Sequence, residues 1–129
     1  MSRVIAHGVD LIEISRIERS ITDHGERFIE RCFTKAEADY ARSAKPPRDI
    51  ERFAARFAAK EAVLKALGTG WADGIAWTDV EVLKMPAGQP MVEITGKAKS
   101  IADGLGISAF HLSLSHTGVH AIASVVACG

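Results

Sequence analysis

Phe53, Phe57, Leu64 and Leu67 recur at helical spacing. At about 100° per residue they fall within roughly 80° of one another around a helix axis. The pattern predicts a helix that opens at Asp49 or Ile50 and ends at Leu67, with Gly68 just past it, where glycine takes the left-handed turn that closes a helix. Lys60 falls in the middle of this apolar stripe, Glu61 on its flank, and Lys65 beside Glu61 at i,i+4. Two solutions are open. Lys60 snorkels and Glu61–Lys65 is a surface pair, or this face looks into a polar cleft with Glu61 and Lys65 aimed at a ligand.

Weaker patterns fill the rest of the chain. Residues 4–11 read as a short strand that ends near Asp10. Ser15 with Glu18 has the capping-box spacing for a helix that runs to about His24, and Thr34 with Glu37 has it for a helix to Ala41. A short helix over Glu26–Cys32 lies between them. The paired prolines of Lys45–Arg48 form a loop, and another loop spans Gly68–Gly74. Val80–Leu83 and Met91–Thr95 read as strands joined by a turn at Pro86–Gly88, followed by a helix over Lys97–Leu105. Phe110, Leu112 and Leu114 alternate with polar residues as in a half-buried strand. A turn at His116–Gly118 leads to a last strand over His120–Ala127. Helices and antiparallel strands without regular βαβ alternation make an α+β fold.

The length of 129 residues is that of one domain with a core of its own. Sixteen basic and sixteen acidic residues cancel, which argues against a nucleic-acid binder. The distribution is uneven, however. Residues 42–65 carry seven basic and three acidic side chains, and the flanks are slightly acidic. A confined basic segment is either a solvated arginine-rich helix face or a local anion site. Cys32 and Cys128 have no metal or disulfide spacing. The first residues hold too short an apolar run for a signal peptide, and no run is long enough to span a membrane. The expected location is the cytoplasm.

Three places carry candidate chemistry. Asp10 follows Gly8 where a strand turns into a helix; it is either a turn or capping aspartate, or with Glu61 it would offer two hard oxygen ligands of the kind Mg²⁺ takes. Ser115, His116 and Thr117 lie at a strand-to-turn junction; they form an ordinary polar turn or bind a phosphate, and a serine nucleophile is disfavoured because the G-x-S-x-G elbow is absent. Gly68-Thr69-Gly70 follows a helix and is no P-loop, though backbone there could approach a ligand.

Gly8-Val9-Asp10, then Arg56-Phe57-Ala58-Ala59-Lys60-Glu61-Ala62 with Lys65 and Gly68-Thr69-Gly70, then Ser113-Leu114-Ser115-His116-Thr117 occur in this order along the chain. Together they resemble the holo-acyl-carrier-protein synthases, the short bacterial 4′-phosphopantetheinyl transferases. The match spans residues 1–129 as a single domain. His7 and the two-proline loop over Ser43–Arg48 depart from the family pattern. The resemblance implies transfer of phosphopantetheine from coenzyme A to a serine of acyl carrier protein, with release of adenosine 3′,5′-bisphosphate. It implies Mg²⁺ held by Asp10 and Glu61 with the pyrophosphate, and Lys65 neutralising charge in catalysis. Glu61 is either a metal ligand or the base that takes the serine proton, and a metal-bound water is a competing base. Arg48, Arg56, Lys65, Gly68, Ser115, His116 and Thr117 would contact coenzyme A, whose roughly four negative charges the basic segment matches. Arg16 and Arg27 match family positions that face the acidic carrier protein, and Arg19, at i,i+3 from Arg16, adds to them. The family also implies a homotrimer. Asp10, Glu61 and Lys65 of one subunit would then meet the Arg48 and His116 region of the next. Two other classes compete: a non-catalytic module that binds carrier protein or nucleotide, and a Mg²⁺-dependent phosphohydrolase.

Overall fold

A computed structural model describes residues 3–71 and 74–129. The loop expected over Gly68–Gly74 includes Ala72 and Asp73, which lie outside the described residues. In chain order the elements are β1 (Val4–Glu13), α1 (Ile14–His24), α2 (Glu26–Cys32), α3 (Lys35–Arg42), α4 (Arg48–Leu67), β2 (Val80–Lys84), β3 (Pro90–Ile94), α5 (Gly96–Gly104), β4 (Ala109–His116) and β5 (His120–Cys128). A single 3₁₀ turn, Trp77–Asp79, leads into β2. The strands form two antiparallel sheets, β1-β5-β4 and the hairpin β2-β3. This is the α+β arrangement the pattern predicts.

α4 is the central element. It runs across the inner face of the three-stranded sheet, chiefly on β1 and β5. Small residues set the spacing. Ala58, Ala59 and Ala62 of α4 and Ala121, Ala123 and Ala127 of β5 are all fully buried. Gly8 is the point of closest approach. A Cβ placed there would overlap the Ala62 carbonyl oxygen and come within 2.9 Å of the Ala66 nitrogen. Here the residue type is dictated by backbone lying on backbone.

The capping box on α3 forms as expected. Thr34 accepts from the Glu37 backbone N–H, and Glu37 accepts from the Thr34 N–H. Gly68 closes α4 in the left-handed conformation, with φ 79°. Two expectations fail. Ser15 does not cap α1: the helix starts at Ile14, its cap position is Glu13, and no side-chain cap bond is made. Nor does the first strand stop near Asp10. Pairing with β5 continues through Glu13↔His120, and the Ile14 N–H then donates to the Val119 carbonyl. The longer ladder consumes the residues a cap would have needed, and it places Asp10 inside β1.

Lys60 does not snorkel. It is wholly buried and pairs with the equally buried Glu37 at 2.8 Å. It also donates to the Trp77 carbonyl at 3.1 Å and to the Val80 carbonyl. Burial pushes the Lys60 ammonium below its ordinary range, and the Glu37 carboxylate pulls it back. Glu37 also accepts from the Val82 N–H. One ion pair therefore joins α3, α4 and the β2-β3 hairpin.

The outer face of the large sheet is uncovered. Val9, Leu11 and Ile122 remain 44%, 63% and 38% exposed there, and Leu11 lies directly opposite Ile122.

Candidate active site

Asp10, Glu61 and Lys65 meet where β1 crosses α4. The Gly8 contact brings the strand down onto the helix, and Asp10 lies two residues further along. Lys65 Nζ reaches Asp10 Oδ1 at 3.1 Å and donates to the Val9 carbonyl at 3.0 Å. Lys65 thus pairs with Asp10, in place of the expected surface pair with Glu61. The Asp10 side chain is 16% exposed and Lys65 55%, so the pair opens on solvent. Burial pushes the Glu61 carboxyl above its ordinary range, and the Asp10 charge adds to the rise. Trp71, Arg16 and Lys65 oppose it. The Trp71 indole N–H is buried near this carboxyl, yet it makes no well-formed hydrogen bond among the described residues.

Two carboxylates beside a solvent opening offer the hard oxygen donors a divalent cation takes. Among the described residues no group of three His, Cys, Asp or Glu side chains forms a metal cage. The protein would thus supply two oxygen donors and leave the other positions to water and phosphate, the arrangement Mg²⁺ favours.

A second cluster is cationic. Arg48, Arg52 and Arg56 recur every fourth residue of α4. Arg48, Arg56 and His116 line one cavity of ≈ 270 Å³ with Tyr40, Glu51 and Leu114. A neighbouring cavity of ≈ 440 Å³ is lined by Tyr40, Arg56, Lys84, Ser113 and the hairpin residues Gly88–Pro90. Arg56 is only 5% exposed. Neither cavity reaches Asp10, Glu61 or Lys65. Ser115 and His116 are exposed on β4. The Thr117 hydroxyl accepts from the Val119 and His120 N–H groups, so it organises the β4–β5 turn. Gly68 and Gly70 both have positive φ, at 79° and 59°, with open space at the Cβ position.

A third surface lies on α1 and α2. Arg16, Arg19 and Arg27 are exposed. Arg16 sits 5.8 Å from the Phe57 ring centroid, and Phe57 stacks on Phe28 at 6.2 Å. Arg27 and Phe28 share a shallow cavity with His24 and Arg31. Arg16 and Arg27 therefore flank one aromatic pair.

Residues 6–122 match the sequence model of the 4′-phosphopantetheinyl transferase superfamily. The chain belongs to that superfamily. It is 47% identical over 123 residues to the holo-[acyl-carrier-protein] synthase of Koribacter versatilis, covering 95% of this chain and 97% of the relative. A crystal structure of the Bacillus anthracis holo-(acyl-carrier-protein) synthase, in complex with CoA (3′,5′-ADP), superposes with a TM-score of 0.80 at 34% identity. It covers 98% of this chain and 97% of its own. The Helicobacter pylori enzyme in complex with coenzyme A superposes with a TM-score of 0.81 at 29% identity, covering 94% and 98%.

Within this superfamily fold, several neighbours of the named residues carry no motif. Tyr40 and Lys84 reach Arg52 and Arg56 only through the packing of α3 and β2 on α4. Trp71 stacks on Trp77 at 3.7 Å, and Trp77 stacks on Phe57 at 4.7 Å. The i,i+4 series of arginines and the paired tryptophans were the available sequence signals.

Proposed function

We propose that this protein transfers the 4′-phosphopantetheine arm of coenzyme A to a serine of an acyl carrier protein, which activates the carrier for fatty acid synthesis. The observation that carries this reading at the level of residues is the meeting of Asp10, Glu61 and Lys65 at the β1–α4 crossing. The serine oxygen attacks the phosphorus that bears the pantetheine arm. The bond from that phosphorus to the bridging oxygen breaks, and adenosine 3′,5′-bisphosphate leaves. Asp10 and Glu61 would hold Mg²⁺, which supplies positive charge against the pyrophosphate. Lys65 faces the same side and neutralises charge that grows on the leaving phosphate. The serine proton would go to Glu61 where Asp10 carries the metal, or to a water held at this crossing where Glu61 is itself a ligand.

Arg48, Arg56, Ser115, His116 and Thr117 bind the phosphate-bearing end of coenzyme A, and Lys65 and Gly68 contact it from the end of α4. Arg16, Arg19 and Arg27 dock the acidic carrier protein. Val9, Leu11 and Ile122 form a contact between copies in a homotrimer, so that one chain's carboxylates face the next chain's cationic cavities. The separation of the two clusters within one chain supports that arrangement. Among the described residues no helix is long and apolar enough to cross a membrane, and we place the enzyme in the cytoplasm with no nucleic-acid partner.

The deciding assay incubates the protein with coenzyme A, Mg²⁺ and an apo-acyl carrier protein. The expected result is a carrier heavier by one phosphopantetheine, and a chelator should abolish the gain. Nucleotide release without carrier modification would point to a phosphohydrolase instead. Solution mass provides a separate test of assembly: a value near three times 13.8 kDa is expected, and a single-chain mass at assay concentration would overturn the trimer.

A further inference from the structure

Tyr40, half-buried near the end of α3, is the meeting point of three cations. The Arg56 guanidinium carbon lies 4.0 Å from its ring centroid, that of Arg52 4.2 Å, and Lys84 Nζ 5.7 Å. All three fall within the reach of a cation–π contact. Two of them come from α4 and one from β2, so the ring gathers charge that the chain delivers from different directions.

The partners differ in what else holds them. Arg52 is fixed through its own hydrogen bonds, to the Tyr40 carbonyl at 2.9 Å and to Ser43 Oγ at 3.0 Å. Arg56 is 95% buried, and its Nε has no partner among the described residues. Tyr40 and Arg56 line both cationic cavities. Burial works against the Arg56 charge, Tyr40 and then Glu37 favour it, and the neighbouring Arg52 charge opposes it.

A buried arginine is commonly held by a carboxylate, and a carboxylate would cancel the charge and occupy the donors. An aromatic ring holds a guanidinium through its quadrupole and cancels neither. The N–H groups stay available to a second ligand. We propose that Tyr40 is a positioning residue for coenzyme A: its ring stacks Arg56, with Arg52 beside it, so that the Arg56 donors face the cavities that receive the phosphates. This inference rests on the coenzyme A reading given above.

Coenzyme A binding to the full-length protein, measured by titration calorimetry, provides the test, with kcat and KM read in parallel. Tyr40→Phe keeps the ring and should stay within about two-fold of the parent. Tyr40→Leu keeps an apolar side chain without the quadrupole. It should raise Kd and KM for coenzyme A roughly ten-fold, about 1.4 kcal/mol, with kcat little changed. Progressively fluorinated phenylalanines at position 40 preserve the ring's shape and drain its quadrupole, so Kd should climb stepwise along that series even if the leucine variant folds poorly. A flat fluorination series in a parent that binds coenzyme A would overturn the role of Tyr40 alone. A parent that fails to bind coenzyme A would overturn the substrate reading along with it.

Discussion

Lys60→Met is expected to lower the unfolding free energy by about 3–5 kcal/mol, a large share of the stability of a domain this size. Methionine fills most of the same volume, so the loss comes from the charge left behind. Glu37 is 1% exposed and would keep its bonds from the Thr34 and Val82 N–H groups without its cation. The Trp77 and Val80 carbonyls would lose a donor as well. Lys35→Met provides the control. Lys35 pairs with Asp39 on the surface, where the side chains are 89% and 60% exposed, and removal of such a pair changes stability by well under 1 kcal/mol. Urea unfolding of both variants decides the matter: similar losses from the two lysines would mean that the buried pair holds nothing together.

Asp10→Ala and Glu61→Ala should each cut carrier modification at least ~10²-fold, about 2.7 kcal/mol of barrier, while the fold persists. Among the described residues these two carboxylates are the pair brought together at the β1–α4 crossing, so each variant removes half of it. Stability should move the other way. Burial raises the Glu61 pKa, so its charged form is disfavoured in the folded state. That cost is present above the unfolded pKa and disappears as pH falls below it. Glu61→Gln should therefore be at least as stable as the parent at neutral pH. Added Mg²⁺ should raise the melting temperature of the parent and leave that of Glu61→Ala unchanged. An active Glu61→Ala enzyme, or one that Mg²⁺ still stabilises, would remove Glu61 from the site.

What could be read from the sequence depended on how far apart the cooperating residues lie. α4 and its glycine stop are legible because their pattern is local, and so is the Thr34–Glu37 cap. The spacing of Glu61 and Lys65 pointed to a shared task, but the actual partner of Lys65 is Asp10, 55 residues away. Lys60 was visible as an anomaly in an apolar stripe. Its solution lay in Glu37, which the sequence offers only as a capping residue. Ser15 misled for a related reason: the motif was sound, but strand pairing with β5 reached past it. Tyr40 left no signal, because a ring that gathers cations from two elements has no spacing rule.

The contact at Gly8 bears on how the enzyme fails. No side chain lies between the main chains of β1 and α4 at that point, so no rotamer change can widen the gap between the two backbones that carry Asp10 and Glu61. Those backbones separate only when the whole strand leaves the helix, and that strand is one of the two on which α4 chiefly packs. Loss of catalytic geometry on heating is thereby tied to cooperative collapse of the core, and a warmed enzyme population consists of fully competent and fully unfolded molecules with few of intermediate skill.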